Sequence, residues 1–406
     1  MSDAHADRVG DPFRFDYDPA VLRYGRGSVA DLEAELEQHG VDRALVVCGS
    51  TVGSTPAVID PVTDGLGDAL AGVFDETTPE KRLSTALDAR EAYRDHGADA
   101  IVALGGGSSI DVAKAVSVLV AGDHDPEAAG RDLAETHTLP TPDDGLPPIF
   151  AVPTTLAGAD LSNVAGLATL PDSGLVDRPT SGGISDRRLM PAAVVSDPEL
   201  VATTPRTVLV GSAMNGFDKG IETLYAANAT PVTDATAIRG IGLMADGLRD
   251  LGRGGVDAET LEPVLEGLLL VQYGISRPGE TTLSIIHSFG HGLTRGYEVQ
   301  QGTAHAIVAP HVLRYLFAEV DGRRALLADA LGVAEASDPA DAVVDAVAEV
   351  RDALGLPDSL ADVAGPEPGE FSSVARSVVK DPFMANAPDA LDLTPEDVAA
   401  VLQAAY

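Results

Sequence analysis

Val102-Ala-Leu-Gly-Gly-Gly-Ser-Ser-Ile-Asp111-Val-Ala-Lys-Ala-Val116 is the stretch that decides the fold. Ile101, Val102 and Leu104 form an apolar run that reads as a buried strand, and the glycines Gly105, Gly106 and Gly107 follow it. A helical apolar spacing then begins at Ile110 and continues through Ala113, Val116 and Leu119. A glycine turn between strand and helix lets backbone approach a phosphate closely, and the helix N-terminus attracts the anion. Ser108 and Ser109 are placed to cap that helix. The stretch is neither Gly-x-Gly-x-x-Gly nor a P-loop with its Gly-Lys-Ser/Thr. Alone it predicts a tight strand–helix turn in an α/β domain and no specific ligand.

Further strands flank it. Residues 44–48, the pair Val73-Phe74, residues 149–152 and residues 193–196 are apolar and short, and Asp197-Pro198 closes the last of them. An amphipathic helix follows Gly25-Arg-Gly-Ser28 and ends near His39-Gly40, and Thr78 is placed to cap a helix running to His96-Gly97. A Pro- and Asp-rich loop is expected over 123–147. Strands alternating with helices at this spacing predict a mostly parallel, Rossmann-like sheet. From Pro198 helical periodicity runs to Ala405, broken at Pro231, Gly252-Arg-Gly-Gly255, Pro278-Gly279, Pro339 and Pro366. Two domains are therefore expected, α/β over residues 1–198 and all-α over 199–406.

The charge balance narrows the partners. Acidic residues number 63 against 27 basic ones, a formal net charge of −36. The only lysines are Lys81, Lys114, Lys219 and Lys380. The acids are spread over many helices, as in Asp31-Leu-Glu-Ala-Glu-Leu-Glu37, and resemble the hydrated surfaces of proteins from salt-accumulating halophiles. Such a field repels nucleic acid and anionic membranes, so neither is an expected partner. The single cysteine, Cys48, excludes an internal disulfide and reads as core. No apolar stretch has membrane-spanning length and the polar N-terminus is no signal peptide, so a cytoplasmic soluble protein acting on a small molecule is expected.

Three more stretches turn the glycine turn into a resemblance. They are Pro153-Thr-Thr155-Leu-Ala-Gly158, Asn215-Gly-Phe-Asp-Lys219-Gly-Ile-Glu222-Thr-Leu-Tyr225, and His287-Ser-Phe-Gly-His291 continuing to Pro310-His311. In order and spacing the four resemble the iron-containing alcohol dehydrogenase superfamily, over nearly the whole chain. The resemblance implies a dinucleotide-binding N-terminal domain and a helical C-terminal domain, the dehydroquinate synthase-like fold. It also implies NAD or NADP as cofactor and a homodimer. Gly105, Gly106, Gly107 and Ser108 then correspond to the pyrophosphate turn and Thr154 and Thr155 to the threonine pair lining the cofactor cleft, with Gly49 and Asp111 as further cofactor-binding positions. The strand ending at Cys48 is followed by Gly49-Ser50, with no carboxylate to accept from a ribose 2′-hydroxyl, which leaves room for a 2′-phosphate.

The departures from the family pattern matter more. Metal-dependent members hold iron or zinc with an Asp, a His four residues later, and two later His. Aligned on Ile221-Glu222, those positions are Asn215, Lys219, His287 and Gln301. An amide is a poor transition-metal ligand and a charged ammonium has no lone pair, so no catalytic metal is expected. Another register offers Asp218, Glu222, His287 and His291 as a shifted ligand set for a metal-dependent alcohol dehydrogenase. Within the superfamily the nearer resemblance is to the maleylacetate reductase branch. That branch shares Pro-Thr-Thr-x-Ala-Gly, an Asn at Asn215, a His at His305, and the pattern of Asn386-Ala-Pro through Thr394-Pro-Glu-Asp397. Lys219 and Gln301 depart even from it.

A reductase needs positive potential where charge develops on the acceptor oxygen, and a metal ion commonly supplies it. Here Lys219 is the expected cation, with His287 polarising the acceptor and His291 relaying a proton. Asn215, Gln301 and His305 are expected to bind substrate, and Arg187, Arg188 and Arg295 are candidate anchors for a substrate carboxylate. The expected activity is hydride transfer to a small oxo acid, aldehyde or activated C=C bond. A rebuilt metal site beside an intact glycine turn is also what an inactive dinucleotide-binding protein would show.

Overall fold

Ala100–Gly105 is a fully buried strand and Gly107–Gly122 a helix in the computed structural model, which describes residues 12–122 and 124–406. The strands are β1 (Val21–Tyr24), β2 (Ala44–Gly49), β3 (Leu70–Thr77), β4 (Ala100–Gly105), β5 (Ile149–Pro153), β6 (Val164–Thr169), β7 (Thr180–Ser185) and β8 (Ala193–Ser196). Six of them form one sheet in the order β1-β8-β5-β4-β2-β3, and every pairing in it is parallel. β6 and β7 pair separately as an antiparallel hairpin.

The chain forms two compact units. The first, Asp18–Thr155 with Ala159–Thr204, contains the sheet. Its helices are α1 (Leu32–Gln38), α2 (Ser50–Gly53), α3 (Pro56–Leu66), α4 (Leu83–Asp95), α5 (Gly107–Gly122), α6 (Pro126–Thr136) and α7 (Pro198–Val201). Side chains alternate across each strand, so Leu45, Val47, Ile101 and Ala103 pack with α4 and α5 on one face. Val46, Cys48, Val102 and Leu104 pack with Leu32, Leu36 and Val62 on the other. Both faces are covered, as a parallel sheet requires.

The second unit comprises Leu156–Gly158, Pro205–Tyr406 and the segment ending at Tyr17. Its helices are α8 (Arg206–Tyr225), α9 (Pro231–Arg253), α10 (Ala258–Ile275), α11 (Ile285–Thr294), α12 (Gln301–Glu319), α13 (Arg324–Ala330), α14 (Pro339–Leu354), α15 (Phe371–Val378) and α16 (Pro395–Ala404). The prolines Pro231 and Pro339 stand at helix starts, where a missing N–H costs nothing. No helix among the described residues is long and apolar enough to cross a membrane. The polar N-terminal stretch, residues 1–11, lies outside the described residues.

Several local expectations are corrected. The strand at Val73-Phe74 is eight residues long. Thr78 caps nothing: α4 starts at Leu83, after a turn in which Lys81 takes φ 54°. The loop expected over 123–147 contains α6, started by Asp125, whose carboxylate accepts from the Ala128 amide, and by Pro126. β1 and the β6–β7 hairpin were not expected at all. Ser109 does not cap α5; its hydroxyl lies 2.8 Å from that of Thr77 and ties the helix to the end of β3. Cys48 is buried and free, its thiol pushed up to about 12 by burial and the nearby Asp75.

Candidate active site

In the sheet unit the residues expected to bind nucleotide gather at the carboxyl edge of the strands. Gly49 ends β2 beside Thr77, and Gly105 ends β4 beside Pro153. Gly105 takes φ 132°, which L side chains rarely adopt, so the turn into α5 needs glycine there. A methyl built on Gly106 would lie 3.0 Å from Thr155 Cγ2, so the Thr155 side chain stands over the turn. The Thr154 amide donates to the Gly105 carbonyl at 3.0 Å and fixes β5 against it. α5 begins there at Gly107, and the N-terminus of a helix carries the partial positive charge that attracts an anion. Asp111 is turned elsewhere. It accepts from Lys81 Nζ at 2.6 Å and from the Gly166 amide at 3.1 Å, holding the β3–α4 turn and the hairpin to α5. One turn on, Lys114 is fully buried and donates to the Val164 carbonyl at 3.0 Å; burial pulls its ammonium down to about 8 against the opposing pull of Asp111 and Asp160.

In the helical unit α8 carries Asn215, Asp218, Lys219 and Glu222, spaced to share one face. Its packing leaves no slack. A methyl on Gly216 would meet the Leu156 carbonyl oxygen at 2.3 Å, and one on Gly220 would meet Ile241 Cγ2 at 2.2 Å. Lys219 Nζ donates to the Gly158 carbonyl at 2.5 Å, and Gln272 Nε2 donates to the same oxygen. Gly158 takes φ 66°, and a methyl there would run into Gln272 at 2.9 Å, so the carbonyl is held in place.

Glu222 organises the next helix. Its carboxylate accepts from the Ser284 amide at 3.0 Å, from the His287 amide at 3.0 Å and from Tyr225 Oη at 3.3 Å, which caps α11 with a charge. It also meets His287 Nδ1 at 2.5 Å. Burial pushes this carboxyl up to about 7, although the amides oppose the rise. Burial, His305 and Lys219 hold His287 well below the ordinary imidazole range, so the ring is neutral and gives its Nδ1 proton to Glu222. His287 Nε2 lies 3.0 Å from the Asn215 amide. An amide both donates and accepts, so Asn215 satisfies that nitrogen whichever protonation state the ring takes.

His305 comes from α12 and stacks edge-on to His287, ring centroids 4.4 Å apart. Its Nδ1 lies 3.5 Å from Asp218 Oδ2, with both side chains fully buried. Desolvation, with Glu222 nearby, drives Asp218 well above the usual carboxylate range, and burial pushes His305 down to about 3. The His305 ring is therefore neutral at pH 7. His305 fits because α11 has glycine opposite: a methyl on Gly290 would lie 2.2 Å from His305 Nε2 and 3.6 Å from Gln301 Cγ. Gln301, one turn before His305 on α12, packs against the same glycine.

His291, one turn after His287, gives Nδ1 to Asp381 Oδ2 at 2.9 Å. Burial pushes the Asp381 carboxyl up, but His291, the Phe383 amide and Arg295 outweigh it and hold the group below its ordinary value. Arg295 stays beside this pair at 3.5 Å. Arg187 and Arg188 do not join the cluster; they form exposed ion pairs with Asp18 and Asp186.

The structure thus brings Asn215, His287 and His305 into contact, with Lys219 on the same face of α8, Gln301 one turn before His305 on α12 and His291 one turn along α11. The donor set does not fit a divalent ion. An ammonium holds one family ligand position, and an amide occupies the His287 nitrogen that faces away from Glu222. The shifted set is not assembled either: Asp218 faces His305, Glu222 is filled by amides and His287, and His291 faces Asp381. Among the described residues no three His, Cys, Asp or Glu side chains are arranged to hold a metal. Sequence reasoning missed Asp381, Phe383, Gln272 and the Gly158 carbonyl. Asp381-Pro382 reads only as a turn start, and nothing local links it to a histidine 90 residues earlier.

Comparisons with known proteins agree along the chain. Residues 19–198 match the family described as iron-containing alcohol dehydrogenase, and residues 209–406 match the Fe-containing alcohol dehydrogenase family, C-terminal. Maleylacetate reductase of Burkholderia cepacia is 28% identical over 391 residues, 96% of each chain. NAD-dependent methanol dehydrogenase of Bacillus methanolicus is 27% identical over 77% of this chain and 79% of its own. The crystal structure of maleylacetate reductase from Agrobacterium tumefaciens, 24% identical, superposes with a TM-score of 0.76 over 98% of both chains, which shows the shared fold.

Proposed function

The chain belongs to the iron-containing alcohol dehydrogenase family and is an oxidoreductase, and on that premise we propose that it is an NAD(P)H-dependent reductase working without a catalytic metal. Its acceptor is a small oxo acid, aldehyde or activated C=C bond, in keeping with its likeness to maleylacetate reductases. The same reading takes it as a cytoplasmic homodimer.

The observation that carries the proposal is the Lys219 ammonium, pinned to the Gly158 carbonyl one helical turn from Asn215, its charge helping burial to hold the His287 and His305 rings neutral. A fixed cation beside neutral donors supplies positive potential where the acceptor oxygen gains charge. NAD(P)H, when bound, supplies the hydride. Gly105, Gly106, Gly107 and Ser108 would hold its pyrophosphate, with Gly49, Thr154 and Thr155 along the same strand edge. Asp111 acts there through Lys81 and Gly166. No carboxylate follows Gly49, so NADP suits the site at least as well as NAD. Asn215, Gln301 and His305 would orient the acceptor, and His287, locked by Glu222 on one side, would hold the Asn215 amide in place on the other.

Turnover of a panel of oxo acids and aldehydes by wild type and Lys219→Met tests this, together with elemental analysis of protein purified without chelators. The expected result is no stoichiometric iron or zinc and a kcat/KM lowered roughly 100-fold or more in the variant. Stoichiometric metal, or an unchanged kcat/KM, overturns the proposal. Nucleotide binding with no turnover on any acceptor would mark an inactive dinucleotide-binding protein.

A further inference from the structure

α11 presents two imidazoles one turn apart, and each gives Nδ1 to a carboxylate from another part of the chain, His287 to Glu222 and His291 to Asp381. The pairs differ at the other nitrogen. His287 is buried and its Nε2 is matched to Asn215. The His291 side chain is 31% exposed, and its Nε2 has no hydrogen-bond partner among the described residues. His305 is fully buried. Of the three, only His291 has a ring nitrogen able to hand a proton to a bound molecule and take a replacement from water.

The carboxylate that holds it is costly. The Asp381 side chain is 1% exposed, and it accepts from His291 at 2.9 Å, from the Phe383 amide at 3.1 Å and from Arg295 at 3.5 Å. Burying a carboxylate against a ring nitrogen is worth its desolvation when the tautomer must be fixed. The turn carrying it is anchored as well. Asn386 Nδ2 donates to the Thr281 and Leu283 carbonyls at 2.9 and 2.8 Å, just ahead of α11, and the Ala227 amide donates to the Asn386 carbonyl at 3.0 Å. Phe383, on the same turn, lies against the His291 ring at 5.1 Å.

We propose that Asp381 is a positioning residue that keeps the Nδ1 proton on His291 and so makes Nε2 the proton donor of the reduction. The proposal rests on the reductase reading above. Hydride passes from NAD(P)H to the acceptor carbon, leaving NAD(P)+. The carbonyl π pair becomes an oxygen lone pair, and that oxygen takes the Nε2 proton of the His291 imidazolium. Neutral His291 keeps Nδ1–H on the Asp381 carboxylate, and water returns the proton to Nε2.

The test compares full-length wild type, Asp381→Asn and Asp381→Glu by nitrogen NMR of labelled histidine, with His291→Gln to assign the signal, and by kcat and KM with NADPH and pyruvate or another 2-oxo acid that the wild type reduces. The expected result is loss of the fixed Nδ1–H tautomer in D381N and a kcat lowered on the order of 100-fold at unchanged KM for NADPH, with both restored in D381E. An unaltered tautomer in D381N, or a kcat loss without a tautomer change, overturns the proposal. Wild type without turnover would sink the reductase reading, while the NMR comparison still decides whether Asp381 fixes the ring. Should D381N fail to fold, H291Q decides: added imidazole restores turnover if His291 is the donor, and no restoration overturns the assignment.

Discussion

Glu222 Oε2 lies 2.5 Å from His287 Nδ1, and the same carboxylate caps the helix on which His287 stands. One side chain therefore sets the start of α11, the tautomer of His287 and the charge beside it. Glu222→Gln keeps the shape but replaces one acceptor oxygen by a donor, which faces amide donors it cannot satisfy. The expected cost is roughly 1–3 kcal/mol of stability, together with a fall in kcat. Urea unfolding and steady-state assays check it, and a variant as stable as wild type would show that the cap carries no weight.

Asp218 offers a test with a defined sign. Its folded-state pKa is raised by burial and by Glu222, so the native state keeps a proton that the unfolded chain loses above about pH 4. Its contribution to stability is present below that pH and is lost as pH rises toward the folded value. Asp218→Asn has no proton to lose. It should match wild type near pH 4 and melt at least about 2 °C higher at pH 8. Melting curves across that range would reject the idea if the gap failed to widen with pH.

The net charge of −36 predicts a salt response. Self-repulsion across an acidic surface weakens as ions screen it. The melting temperature should climb by several degrees between about 0.1 and about 2 M KCl, with most of the gain complete before the Debye length falls to about 3 Å. A flat or falling curve would separate the acidic composition from salt adaptation.

The parts of the fold legible in the sequence were those with local causes. β2, β4, β5 and β8 are buried on both faces and read as continuous apolar runs. β1 has Arg23 in its middle and exposed ends at Val21 and Tyr24, and it is a strand only because Ala193–Ser196 lies beside it. The β6–β7 hairpin places Gly166 opposite Gly183, so no apolar alternation marks it. α6 did announce itself, through Asp125-Pro126, inside a stretch whose prolines and aspartates suggested a loop.

The site divides in the same way. Asn215, Lys219 and Glu222 share a helix face that spacing alone reveals, and the structure keeps them together. The Asp218–His305 pair and the Asp381–His291 pair join distant segments, and only tertiary packing creates them. The Gly158 carbonyl left no trace in side-chain chemistry at all, since the acceptor for Lys219 is backbone.

The glycines of α8 carry a consequence for descent. With Gly216 against the Leu156 carbonyl and Gly220 against Ile241, the helix has no room to slide or rotate. Chemistry on its open face can then change only by exchanging side chains on a stationary backbone. A lineage holding an ion and a lineage holding an ammonium need differ there by a handful of codons, and a descendant crossing between them keeps its scaffold throughout.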